Sequence, residues 1–174
     1  MYKHKKVSLC ITVKVQEEVK IKLIKKLNLK DLGTAKQVLE LQKASYKIEA
    51  EIIDFYEIPP LKDTISSLQE CKEIFYGYYI NDTLAGIISY KIIENVLDIH
   101  RVAINPSFFR MGIAGKLIGF IEEIDNSINK VVVCTGKKNL PAVNLYLKNG
   151  YQKVKDIEIC EGVYLTKFEK IIGI

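Results

Sequence analysis

Several things this sequence lacks narrow the field at once. Its four cysteines, Cys10, Cys71, Cys134 and Cys160, stand far apart with no CxxC pair. A disulfide framework and a thiolate zinc site are therefore not expected, and reduced thiols in a cytoplasmic protein are. Histidine is scarce: His4 and His100 are the only two, neither at metal-ligand spacing to a cysteine, so no metal is expected. No apolar run approaches the ~20 residues a membrane helix needs. The basic N-terminal segment has only a short apolar stretch, broken by Lys14 and followed by no small-residue cleavage site, so no secretory leader is expected. Internal repeats, low-complexity tracts and Pro/Gly-rich linkers are also missing. The 174 residues therefore read as one domain over 1–174, with 1–18 as an N-terminal extension or edge strand.

What is present is an ordinary core-forming composition, 48% hydrophobic and 27% charged. The net charge of +5 is unevenly placed: residues 1–30 carry nine lysines against Glu17 and Glu18. Those lysines alternate with Val19, Ile21 and Leu23, the pattern of a strand with one solvated face, and lysines there discourage edge pairing. A nucleic-acid binder spreads basic residues over a docking face with aromatics among them, so a nucleic-acid partner is not expected. His4 falls in the same solvated segment.

The periodicities give an element order. Val19–Leu27 alternates as a strand. Asp31 caps a helix to about Ala50, with Ala35, Val38, Leu41, Ala44 and Ile48 on one face. Pro59-Pro60 ends the segment before it, and a short helix comes next around Ile65 and Leu68. Glu73–Ile80, Leu84–Ile93 and Val96–Ile104 read as an antiparallel meander with turns at Asn81-Asp82 and Glu94-Asn95. Gly112 to about Ile124 is a helix. Lys130–Thr135 is a short apolar strand of the kind buried on both faces. Asn139 caps a helix that has Pro141 in its first turn and ends at Asn149-Gly150. Tyr151–Cys160 and Val163–Ile171 form a terminal hairpin. The fold class is thus α/β (of the α+β type), ordered β-α-α-β-β-β-α-β-α-β-β. Its mixed sheet is mostly antiparallel and flanked by helices, with one parallel βαβ unit from Val96 to Thr135.

One stretch carries chemistry. Asp98–Leu117, DIHRVAINPSFFRMGIAGKL, is a strand, a proline turn and a glycine-rich helix start. A helix N-terminus offers unpaired N–H groups and a positive dipole end. Small residues at Gly112, Ala114 and Gly115 let a phosphate approach the backbone. Arg110 and Lys116 add charge. The spacing is neither a Walker A loop nor a GxGxxG fingerprint, and by itself such a glycine also serves a turn alone. One strand downstream lies Asn139-x-x-Ala142-x-x-x-Tyr146-x-x-x-Gly150-Tyr151.

Together these segments resemble the GNAT superfamily of N-acyltransferases, over about Asp98 to Tyr151 and in the element order of the chain. The resemblance implies acetyl-CoA as co-substrate. Backbone groups of Val102, Ala103 and Ile104 would pair with its pantetheine arm like an added strand. The amides of Arg110, Met111, Gly112, Ile113, Ala114, Gly115 and Lys116 would hold its pyrophosphate. Asn139 and Ala142 would line the arm, and Tyr146 would lie near the thioester sulfur. Phe109 stands where the family usually has Gln or Arg, but phosphates held by backbone N–H groups are expected to stay bound.

The implied reaction is acetyl transfer to a primary amine on a small molecule or peptide. An alkyl amine with a pKa near ~10.4 is neutral in only about one molecule in ~10³ at pH 7, so a general base helps. Tyr146 lies on an apolar helix face beside Ala142 and Leu145, where the residues alone suggest a core aromatic; the resemblance makes it the proton donor to the leaving thiolate. His100 is the base candidate, because it shares strand parity with Val102 and Ile104; a lone strand histidine also fits a structural role. Asp98, two residues earlier, is the substitute. Tyr46, Tyr56, Pro59 and Pro60 fall where the family builds its acceptor loop, and Tyr76, Tyr78, Tyr79 and Tyr90 on adjacent strands suggest an aromatic wall. The alternative is a catalytically inactive acyl-CoA-binding regulator. Monomer and homodimer both remain open.

Overall fold

The computed structural model describes residues 22–173. The expected start of the first strand, Val19 and Ile21, falls outside them, as do His4, Cys10 and the extension at 1–18. The described chain begins with β1 (Lys22–Lys26), followed by α1 (Leu32–Ile53), α2 (Pro59–Lys62) and α3 (Ile65–Glu70). The meander β2 (Ile74–Ile80), β3 (Thr83–Ile93) and β4 (Val96–Ile104) comes next. A 3-10 turn at Pro106–Phe108 leads to α4 (Ile113–Glu122), β5 (Lys130–Gly136), α5 (Leu140–Lys148), β6 (Gln152–Cys160) and β7 (Val163–Ile171).

All strands join one sheet in the order β1-β2-β3-β4-β5-β7-β6. Among the described strands only β4 and β5 pair in parallel, with α4 as the crossover between them. The expected order therefore holds, with one addition. The first helix, expected to about Ala50, stops at Ile53 with Asp54 in the left-handed region (φ 54°), well before Pro59-Pro60. The two prolines instead open a one-turn helix of their own, because a first turn needs no N–H donor from them.

Two apolar layers cover the sheet. Ile88, Leu97 and Ile99 pack with Ile113, Leu117, Ile118 and Ile121 of α4, joined by Tyr146, Tyr151 and Phe168. On the other face Phe75, Ile87 and Ala103 pack against Val38, Leu41, Tyr46, Ala50 and Ile53 of α1. Neighbouring Ile87 and Ile88 go to opposite layers, as strand alternation requires. Each fully buried aliphatic side chain in α4 is worth roughly 1.5–3 kcal/mol. Tyr76, Tyr78 and Tyr90 belong to the α4 layer, with Tyr76 stacked on Tyr90 at 6.4 Å. These rings pack the sheet. Cys71, Cys134 and Cys160 are free thiols. No described helix is long and apolar enough to cross a membrane.

Candidate active site

The parallel pair that organises the site is only half zipped. β4 and β5 pair over Val96–Ile99 and Lys130–Val133, yet β4 continues to Ile104 and β5 to Gly136. Beyond Ile99 the two strands part and leave a gap through the sheet. Val102, Ala103 and Ile104 form its β4 edge. At the open end the Ile104 N–H donates to the Ser45 hydroxyl of α1 at 3.3 Å.

A β-bulge marks where the strands separate. Ile99 stands opposite Tyr90 and Arg101 opposite Ser89, so His100 is the extra residue, and a bulge re-aims the side chains beyond it. Leu97 and Ile99 face the α4 layer before the bulge, and Val102 and Ile104 face it after. His100 thus shares its face with Asp98 and Arg101, not with Val102 and Ile104 as uninterrupted parity implied. Its Nδ1 lies 3.6 Å from Glu73 Oε1 and its Nε2 3.5 Å from Asp98 Oδ2. The imidazole is 30% exposed.

Beside it lies a buried polar network. Arg101 donates from Nε to Glu73 Oε2 (2.8 Å), from Nη2 to Glu73 Oε1 (3.2 Å) and from Nη1 to Gln42 Oε1 (3.1 Å) and Asp63. Gln42 Nε2 in turn donates to Asp63 Oδ2 (2.7 Å) and the Pro60 carbonyl (2.8 Å). Ser89 Oγ donates to Glu73 Oε2 at 2.6 Å. Burial disfavours every charge here, but the pairing outweighs it. Glu73 and Asp63 are held below the usual carboxylate range and Arg101 above its own. The network ties α1 and the α2–α3 turn to β4.

The loop into α4 leaves backbone donors without side-chain caps. Asn105 accepts from the Ser107 N–H at 3.0 Å, and Arg110 (φ 62°) and Gly112 (φ 72°) both adopt the left-handed region. Side chains of Asp31, Thr64 and Asn139 cap α1, α3 and α5, but α4 starts at Gly112 with no side-chain cap. The N–H groups of Ile113, Ala114 and Gly115 thus sit at the positive end of the helix without a capping partner. A Cβ placed on Gly112 would meet nothing within 4 Å, so the space above the loop is open. Arg110, Met111 and Lys116 are exposed around it. This donor set fits a pyrophosphate.

Tyr146 closes the gap from the α4 side. It is 4% exposed, and its ring meets Tyr151 edge-on at 5.5 Å and Phe168 at 5.7 Å. Burial pushes its phenol well above the usual value, and Glu49 and Cys134 add to the shift. Asn139, buried, accepts from the Ala142 N–H at 3.2 Å as the cap of α5. Its amide, with the Gly136 N–H, faces the Glu49 carboxylate and favours its charged form, while burial raises the Glu49 pKa on balance.

The sequence reading did not single out Glu49, Ser45 or Gln42. The signal lay in the register of α1. Its buried residues are Ala35, Val38, Leu41, Gln42, Tyr46, Ala50 and Ile53, whereas Ala44 is exposed. Gln42, within that stripe, and Ser45 and Glu49, beside it, are polar residues at three- and four-residue steps. Of the expected acceptor aromatics, Tyr46 is buried next to Glu49, whereas Tyr56 is exposed.

The mixed sheet is split between two parallel strands, with an uncapped glycine helix start at the mouth of the split. Residues 35–151 match the model of the Acetyltransferase (GNAT) family, and the chain belongs to that family. It is 35% identical over 146 residues to the UPF0157 protein YqkA of Bacillus subtilis, covering 84% of this chain and 43% of that protein. The chain thus spans under half the length of that relative. It is 28% identical over 160 residues to a spermidine N(1)-acetyltransferase of Thermoplasma acidophilum, covering 84% of this chain and 97% of the relative. Among solved structures, the PaiA N-acetyltransferase of Thermoplasma acidophilum in complex with coenzyme A superposes with a TM-score of 0.69 at 20% identity, over 84% of this chain and 98% of that one. The last comparison shows the shared fold.

Proposed function

We propose that this chain is an acetyl-CoA-dependent N-acetyltransferase that moves an acetyl group to a primary amine by direct attack on the thioester. The observation that carries this reading is the β4–β5 split, flanked by the uncapped start of α4 at its mouth and by Tyr146 at its side. The pyrophosphate would rest on the amides of Arg110 through Lys116, and the pantetheine arm would run along Val102, Ala103 and Ile104 with Asn139 and Ala142 across from it. Membership of the family and the spermidine N(1)-acetyltransferase relative support amine acetylation.

The amine lone pair attacks the thioester carbonyl carbon, the C–N bond forms, and the C–S bond breaks with its electron pair on sulfur. Tyr146 gives its proton to that thiolate. Its high pKa keeps it protonated at neutral pH, and the desolvation that raises it also raises the basicity of a thiolate leaving in the same place. The tyrosinate recovers a proton from the nitrogen through water. Base candidates at the gap are His100 on β4, with Asp98 beside it, and Glu49 on α1.

The test is free-thiol release from acetyl-CoA across spermidine, other alkyl amines, amino acids and peptide N-termini. Release stimulated by one class supports the enzyme and names its acceptor. Tight acetyl-CoA binding without stimulated release would favour the inactive acyl-CoA-binding regulator.

A further inference from the structure

The carboxylates around the gap are not equivalent. Glu73 and Asp63 are both neutralised by Arg101. Asp98 is exposed on the bulge and faces His100. Glu49 differs from all of these: among the described residues no lysine or arginine pairs with it, and its neighbours are the Asn139 amide and the Gly136 N–H. A half-buried carboxylate with no cationic partner is costly to keep charged, which marks a position held for something other than stability.

Its placement is equally specific. Ser45, one helical turn before Glu49, sits on the Ile104 N–H at the β4 edge of the gap. Glu49 itself sits on the Gly136 end of β5. The polar stripe of α1 thus bridges the open mouth from one face of the sheet, while Tyr146 approaches from the other. Burial raises the Tyr146 phenol most, and the Glu49 carboxylate near it adds to the shift. A cleft of about 470 Å³ lies next to Ile53 and Leu140, with Lys137, Lys138, Val163 and Tyr164 also in its lining. Ile53 lies one turn past Glu49 on α1, and Leu140 follows Asn139. Lys137 is held by Asp156 at 3.0 Å and lies over the Tyr164 ring, so it does not reach for Glu49.

We propose that Glu49 is the general base, receiving a primary alkylammonium from the cleft beside Ile53 and taking its proton before attack. This rests on the acetyltransferase reading above. The N–H bond breaks toward the carboxylate, the freed lone pair forms the C–N bond, and the sulfur leaves toward Tyr146 on the opposite face. The second nitrogen proton returns to Tyr146 through water, and Glu49 releases the first to solvent, so each turnover yields one amide, one thiol and one proton. The titratable groups facing Glu49 are Tyr46 on its own helix and Tyr146 from α5. Arg101 of β4 and Glu73 of β2 act on Tyr46 beside it. The Gly136 N–H and the Asn139 amide do not titrate.

The experiment is the pH dependence of kcat/KM for thiol release with spermidine and simple alkyl amines, in the unaltered protein, Glu49→Gln and His100→Gln. In Glu49→Gln, turnover at pH 7 is expected to fall by roughly 10²–10⁴-fold, with affinity for coenzyme A retained. Its residual rate should climb about tenfold per pH unit toward the amine pKa of ~10.4, because free amine then replaces the base. Glu49→Gln should also melt no lower than the unaltered protein at pH 8, since it removes a strained charge. A lower melting temperature with proportionate loss of coenzyme A binding would make Glu49 structural and overturn the proposal. So would an unchanged profile in Glu49→Gln, or loss of the ascending limb in His100→Gln alone. If the unaltered protein neither binds acetyl-CoA nor releases thiol, the acetyltransferase reading falls and takes the base with it.

Discussion

Arg101 grips Glu73 through two N–H groups, Nε to Oε2 at 2.8 Å and Nη2 to Oε1 at 3.2 Å. The same guanidinium reaches Asp63, so one cation compensates two buried carboxylates. Replacing it with an apolar side chain strands both of them, a loss of about 3–5 kcal/mol for a broken buried pair. Arg101→Leu should therefore lower the urea midpoint sharply.

The pH slopes give a second readout of the same pairing. Glu73 and Asp63 have depressed folded pKa values, from ordinary values of 4.5 and 3.8. Their contribution is present above those ordinary values and is lost as pH falls through the folded ones. In Arg101→Leu the unpaired carboxylates are pushed upward instead, so the variant should gain stability on acidification from pH 7 to pH 5. Melting temperatures across that range in both proteins check this: these groups give the unaltered protein no slope there, whereas the variant rises toward pH 5; the same profile in both would mean Arg101 is not what holds these groups charged.

Much of this architecture is legible in the sequence, for identifiable reasons. The strands of the meander carry their β-branched and aromatic runs between unambiguous turns. Asp31 and Asn139 announce helix starts because a capping oxygen and its N–H partner lie only two or three residues apart. The glycine loop at Gly112 is legible because backbone chemistry needs small residues there. What escaped was non-local. The bulge at His100 depends on how β3 registers against β4, and it turns the imidazole to the α1 face although strand parity puts it with Val102. Glu49 escaped because its meaning comes from Asn139 and Gly136, some ninety residues away, brought over it by the sheet. Nothing in the local sequence of α1 distinguishes it from the solvated Glu40 or Glu51.

Gly112 tests the anion site. Its φ of 72° suits glycine, yet an added side chain would meet nothing within 4 Å, so the obstacle to substitution is conformational and electrostatic. Gly112→Glu should fold, at a backbone cost of roughly 1–2 kcal/mol for the left-handed region. A carboxylate beside the phosphates should weaken coenzyme A binding by at least about tenfold, which is ~1.4 kcal/mol. Calorimetric titration with coenzyme A decides this, and undiminished affinity would move the phosphates elsewhere.

Tyr146 tests the proton donor. The ring contacts with Tyr151 and Phe168 survive in phenylalanine, so Tyr146→Phe should fold and bind coenzyme A normally. Turnover should fall by about 10²–10⁴-fold, the range for a lost general acid. Single-turnover thiol release separates this from a binding defect. Equal losses in affinity and rate would make Tyr146 a wall of the groove and no more.

Ser45 tests whether the pantetheine arm pairs with β4 as an added strand. In the structure its hydroxyl takes the Ile104 N–H at 3.3 Å, the donor that such a strand requires. Binding must then displace Ser45, and a hydrogen bond of this kind contributes about 0.5–1.5 kcal/mol net. Ser45→Ala removes the competitor while leaving the N–H in place, so coenzyme A should bind roughly two- to tenfold tighter. The gain should shrink for a truncated ligand that keeps the nucleotide and pyrophosphate but lacks the arm, because that ligand never reaches Ile104. Weaker binding of intact coenzyme A by Ser45→Ala would show instead that the hydroxyl serves the ligand directly. An equal gain for both ligands would place the effect outside the β4–β5 gap.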